Sequence, residues 1–113
     1  MSATIYKILP GRLWGAAVEA GSFTGSSLDM ADGFIHFSTA AQVRETAAKH
    51  FAGVPDLVLV AVAVSTLGPS LKWEPSRGGA LFPHLYSGLA VALARWVKPL
   101  PLGPDGAHVF PEL

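Results

Sequence analysis

The chain of 113 residues is 50% hydrophobic and 14% charged, with eight basic against eight acidic side chains and no cysteine. That size predicts a single domain over residues 1–113 around one modest core. The charge balance argues against bulk nucleic-acid binding, and the lack of cysteine excludes disulfides, thiolate metal sites and cysteine nucleophiles. The longest apolar run, LVLVAVAV at 57–64, is far shorter than the roughly 20 residues of a membrane-spanning helix. The opening MSATIYKILPGR has neither the basic start nor the long apolar centre of a signal peptide. The expectation is a cytoplasmic protein with no membrane role, a monomer or weak dimer, whose partner is a small-molecule ligand.

In chain order, TIYKIL at 4–9 alternates and is rich in β-formers, which predicts a strand ended by Pro10-Gly11. RLWGAAVEA at 12–20 predicts a short helix burying Leu13, Ala16, Ala17 and Ala20, with Gly21 at the C-cap. SFTGSSLDMAD, residues 22–32, reads as a surface loop. GFIHFS then predicts a second strand, and the stretch from Thr39 to Gly53 a second helix. Thr39 and Gln42 stand at capping-box spacing there, and Val43, Ala47 and Phe51 form the inner stripe.

LVLVAVAV has no polar face, so it should be a central strand covered on both sides. LKWE at 71–74 is a short strand candidate, and PSRGGALFPHLYSG at 75–88 reads as irregular because of its prolines and glycines. Alternation over 91–97 predicts a further strand stopped by Pro99 and Pro101, and 107–110 a final edge strand. The whole is an α+β domain with mainly antiparallel pairing and two helices in its first half. Neither GxGxxG nor GxxxxGK[ST] is present.

Three segments hold residues that could carry chemistry. In DGFIHFST, strand alternation puts Phe34, His36 and Ser38 on one face. His36 is then either a hydrogen-bonded core group or part of a site, and Ser38 either a cap or its neighbour. In Trp73-Glu74-Pro75 a carboxylate beside an indole is either a surface acid paired with Arg77 or a group tuned for catalysis. In Phe82-Pro83-His84-Leu85-Tyr86 an imidazole and a phenol stand two apart, so in an extended segment they share a face. Arg77 is the nearest candidate for binding a phosphate or carboxylate. His36, His84 and Glu74 could form a His₂Glu metal set, but no HxH or HExxH spacing supports one, and no metal is expected. His50 and His108 read as surface residues.

Through IYKI, DGFIHFST followed by Gln42, and LKWEPSRGGALFPHLYSG, the chain resembles a bacterial family known as domain of unknown function 952, over about residues 4–100. The resemblance implies a compact ADP-ribosyltransferase-like α+β fold, with two small sheets around a cleft, and it carries no established activity. A more distant similarity is to the NAD-using RNA 2′-phosphotransferases, whose H-x-[ST] strand is like His36-Phe37-Ser38. It implies that His36 and Ser38 face a ligand, and within the same fold group Glu74 compares with the glutamate that some ADP-ribosyltransferases use on the nicotinamide ribose. In such transferases a His or Arg of the first strand holds the ribose of NAD; this chain has Lys7 there, next to Tyr6.

The function expected is therefore an NAD- or nucleotide-dependent ADP-ribosyl- or phosphoryl-transferase-like enzyme. Its catalytic residues would be Glu74, His36 and His84, and its ligand contacts Tyr6, Lys7, Ser38, Trp73, Arg77, Phe82 and Tyr86. NAD is the cofactor the resemblance allows. The alternative is a non-catalytic domain that binds a nucleotide or sugar phosphate with the same residues.

Overall fold

The computed structural model describes residues 3–113, apart from the side chain of Arg77. The ligand contact expected of Arg77 thus lies outside the described residues. The chain forms β1 (Thr4–Pro10), α1 (Gly11–Ala20), β2 (Ser22–Phe23), α2 (Ser27–Asp32), β3 (Ile35–His36), β4 (Ser38–Thr39) and α3 (Val43–His50). There follow β5 (Leu57–Ala63), β6 (Leu71–Pro75), β7 (Leu81–Leu85), β8 (Leu89–Ala90) and β9 (Ala94–Leu100). The class is α+β as expected, and all strand pairs are antiparallel. Strands order as β4-β1-β5-β9 in one sheet and β3-β7-β6 in a second, and a third, two-stranded sheet joins β2 to β8. Among the described residues no helix is long and apolar enough to cross a membrane.

The run read as a doubly covered strand is one. β5 lies between β1 and β9, with Val60 and Val62 in one apolar cluster and Leu57, Leu59 and Ala61 in another on the opposite face. The first cluster packs under α1 and the three-stranded sheet through Ala17, Ile35 and Leu85; the second packs on Val43 and Ala47 of α3. α1 ends where Gly21 takes a positive φ of 86° and donates its N–H to the Ala17 carbonyl. Its buried side is Leu13, Trp14 and Ala17, whereas Ala16 and Ala20 are exposed, because the bulky indole rather than the small methyls turns to the core.

Several local expectations are corrected. The presumed loop 22–32 contains β2 and α2, and α2 is started by a capping box between Ser26 and Asp29. The strand expected over GFIHFS is divided: β3 pairs with β7 and β4 with β1, so the chain changes sheets at Phe37. The irregular segment contains β7, since pairing on both edges outweighs Pro83, whose carbonyl accepts the Phe37 N–H at 3.0 Å. The expected strand 91–97 starts later, at Ala94, after a 3₁₀ turn, and runs through Pro99; β9 is an edge strand, where a missing N–H costs no ladder bond. The final strand at 107–110 is reduced to a single bridge between Leu102 and His108. At Thr39 only half of the capping box forms, its N–H donating to Gln42 Oε1 at 3.1 Å, and α3 itself begins at Val43.

Candidate functional site

β1 alternates so that Lys7 shares a face with Ile5 and Leu9 and is buried with them. A buried ammonium needs a counter-charge, and α2 supplies it: Lys7 Nζ lies 2.9 Å from each oxygen of Asp29, itself only 2% exposed. Asp29 Oδ2 also accepts the Ser26 N–H at 2.9 Å, and Oδ1 accepts the His36 backbone N–H at 3.1 Å. One carboxylate therefore caps α2, neutralises Lys7 and fixes the start of β3.

The same Oδ1 is 2.6 Å from His36 Nδ1, while Asp32, one turn further along α2, places Oδ2 2.9 Å from Nε2. With both carboxylates ionised, each contact is a hydrogen bond only if the ring nitrogen in it carries a hydrogen. Burial alone would push the Asp29 carboxyl up. The His36 hydrogen bond, the Lys7 charge and the Ser26 N–H outweigh it and hold the carboxyl well below the usual carboxylate range. Burial lowers the Lys7 pKa, with Asp29 opposing that shift.

The register of β3 against β7 places His36 directly opposite His84, with ring centroids 5.6 Å apart. Phe34 lies between the two elements and stacks on His84 at 4.0 Å, with His36 at 4.5 Å and Tyr86 at 5.2 Å. On the neighbouring strand, Glu74 Oε1 accepts from His84 Nδ1 at 2.8 Å and from the Tyr86 hydroxyl at 2.7 Å. Those two bonds, Tyr86 first, hold the Glu74 carboxyl below its ordinary value, and the same bond raises the Tyr86 phenol. Among the described residues His84 Nε2 has no hydrogen-bond partner, and His84 itself is 5% exposed. The Lys72 ammonium lies 5.5 Å from the centroid of the Tyr86 ring. A hollow of about 180 Å³ opens beside the cluster between Thr24, Met30, Phe34, Tyr86 and Ser87.

The structure thus brings His36, Glu74, His84 and Tyr86 together, with Lys7 behind them rather than at the surface. Phe82 is buried directly across from Glu74. Three other expected ligand residues point elsewhere. Tyr6 is on the opposite face of β1, packed on Trp96 at 5.9 Å. The Ser38 hydroxyl bonds to Thr46 of α3 at 2.9 Å, because the chain has already changed sheets. Trp73 alternates away from Glu74 on β6 and is 42% exposed. No three His, Asp or Glu side chains among the described residues converge as a metal ion would need.

Asp29, Asp32 and Phe34 belong to the cluster and were missed as site residues in the sequence reading. The signal for Asp29 was the S-x-x-D spacing from Ser26, a capping-box pattern inside an apparent loop.

The architecture is that of a small antiparallel α+β domain carrying a histidine–carboxylate cluster on the outer face of its three-stranded sheet. Residues 8–97 match the family model described as Protein of unknown function (DUF952), and the chain belongs to that family. A crystal structure of Protein CC0527 from Caulobacter crescentus is 52% identical, with a TM-score of 0.91 over 94% of this chain and 93% of that one. The solution NMR structure of CC0527 is 53% identical, with a TM-score of 0.84 over 92% and 90%. No curated protein matches the chain.

Proposed function

We propose that the cluster is a site for a ribosyl-bearing ligand, NAD or another nucleotide, and that the protein is a transferase-like enzyme in which Glu74 stabilises charge at the ribosyl C1′. The observation that carries this reading is the state of Glu74: one oxygen is pinned by His84 and Tyr86, the other has no partner among the described residues, and the group is held ionised. A fixed carboxylate of this kind suits a developing oxocarbenium ion, because it needs no reorganisation at the moment of bond breaking. In the step, the C1′–nitrogen bond breaks, nicotinamide leaves with the electron pair, and an acceptor hydroxyl attacks C1′. Its proton passes to Nε2 of His84, whose other nitrogen is oriented by Glu74. Phe34 and Tyr86 offer ring faces for the base or the nicotinamide. The ADP-ribosyltransferase-like fold implied by the resemblance is part of this reading.

The test is nicotinamide release from NAD, followed by proton NMR. Glu74→Gln keeps the shape and should lower the rate by about 10²–10³, the usual effect of removing one charge-stabilising group. Wild-type rates in the variant, or no release by the wild-type protein, would defeat the enzymatic reading. A second reading, a non-catalytic domain for a nucleotide or sugar phosphate, is favoured by the Lys7–Asp29 pairing, which removes one cation from ligand contact. The small hollow, sized for one ring, favours it too. Saturable shifts of the His36 and His84 ring nitrogens with ADP-ribose, without turnover of NAD, would select it.

A further inference from the structure

A second cavity lies away from the histidines. α3 turns Arg44, Ala47 and Ala48 to one side, at the i, i+3, i+4 spacing of neighbours on a helix, and Ala52 follows on the same side. Opposite them the chain after β9 folds back through the bridge between Leu102 and His108. Its turn is held by Asp105 Oδ1, which accepts the Ala107 N–H at 3.1 Å, and by the positive φ of Gly106. His108 is fixed as a wall, its Nε2 donating to the Val54 carbonyl at 2.9 Å. Between these parts lies a cavity of about 540 Å³, within the range of roughly 300–1,000 Å³ typical of small-ligand sites.

Two features decide what would fit. The floor is made of alanine methyls, so it is apolar and offers no side-chain hydrogen bonds. The Arg44 guanidinium lies 5.2 Å from the centroid of the Phe110 ring, and among the described residues it has no carboxylate or carbonyl partner. A guanidinium over an aromatic ring still has N–H groups that can meet a carboxylate in two parallel hydrogen bonds. Asp105 at the mouth makes no ion pair with Arg44 and limits the negative charge the cavity can accept.

We propose that this cavity binds a small aromatic monocarboxylate, its carboxylate on the edge of Arg44 and its ring on the alanine floor beside Phe110. The site is independent of the histidine cluster and of any activity there.

Benzoate titrated into the full chain, followed by ¹H–¹⁵N NMR, tests it, with benzamide as the neutral isostere. Saturable shifts are expected at the Ala47, Ala48, Ala107 and His108 amides, with the His36 and His84 signals unmoved. Benzamide should bind at least about tenfold more weakly, a difference of about 1.4 kcal/mol. R44Q should lose about as much as the neutral ligand does. A48L, at an exposed position, should fill the cavity and abolish the shifts without altering the rest of the spectrum. D105N should tighten benzoate binding by removing the charge at the mouth. Absence of saturation, equal binding of benzamide, or full affinity in R44Q or in A48L would overturn the proposal.

Discussion

The four-stranded and three-stranded sheets differ in what their strands carry: β5 is wholly apolar, while β3, β6 and β7 alternate apolar residues with His, Lys and Glu. In the larger sheet β5 buries both its faces, with Leu59, Val60, Ala61 and Val62 all inaccessible, so its contribution is apolar burial. In the smaller sheet only one face goes inward. Ile35 and Leu85 join the core, while the residues that alternate with them, His36 and His84, form the outer cluster with Glu74. A strand half given to the core can thus hold several polar groups in fixed register, whereas a polar group on a doubly covered strand, such as Lys7 of β1, needs a buried partner. The two regions meet at Asp29, which takes Lys7 from the larger sheet and His36 from the smaller.

The strongest way to break that comparison is at the joint. Asp29→Ala leaves the Lys7 ammonium buried without a partner, and by the usual cost of breaking a buried ion pair it should destabilise the protein by about 3–5 kcal/mol in urea unfolding. A loss near zero would mean that Lys7 finds water or another partner. The same carboxyl predicts the acid behaviour. Its folded pKa is depressed, so its contribution is fully present above the unfolded value of about 3.9 and is lost as pH falls toward the folded value. The stability gap between wild type and Asp29→Asn should therefore narrow on acidification below about pH 4.

Within the larger sheet, Leu59→Ala removes a fully buried side chain and should cost about 2–5 kcal/mol, depending on how far the cavity collapses. Because Leu59 lies in the cluster under α3 while Ile35 and Leu85 lie in the other, the ring-nitrogen shifts of His36 and His84 should stay where they are in this variant. Ser26→Ala should have the smallest effect, about 1 kcal/mol from the lost cap. It should nevertheless move the His36 signals, because Asp29 and Asp32 both hang on the helix that Ser26 starts. A large shift in Leu59→Ala with none in Ser26→Ala would reverse the comparison.

How much of this was legible differs from residue to residue. The apolar run of β5 and the Val43, Ala47, Phe51 stripe of α3 could be read directly, because each follows the period of its own element. α2 could not, since six residues rich in Ser and Asp look like a loop until the cap between Ser26 and Asp29 is seen. β7 was hidden by Pro83 and its flanking glycines, which weigh against a strand locally. The site divided in the same way. His36, Glu74 and His84 stood out as unusual polar residues in apolar or aromatic settings, whereas Asp29 and Asp32 looked like ordinary loop acids.

By itself the sequence determined the class: an α+β fold with a doubly buried central strand, and three segments in which polar groups interrupt β-rich stretches. These features depend on composition and on periodicity over a few residues, which local sterics and burial enforce. Only the tertiary structure decided that His36 faces His84, that Ser38 belongs to α3 rather than to the cluster, and that Lys7 is paired with Asp29. Those outcomes depend on strand register and on the change of sheet at Phe37, where a shift of one residue would send each side chain to the other face.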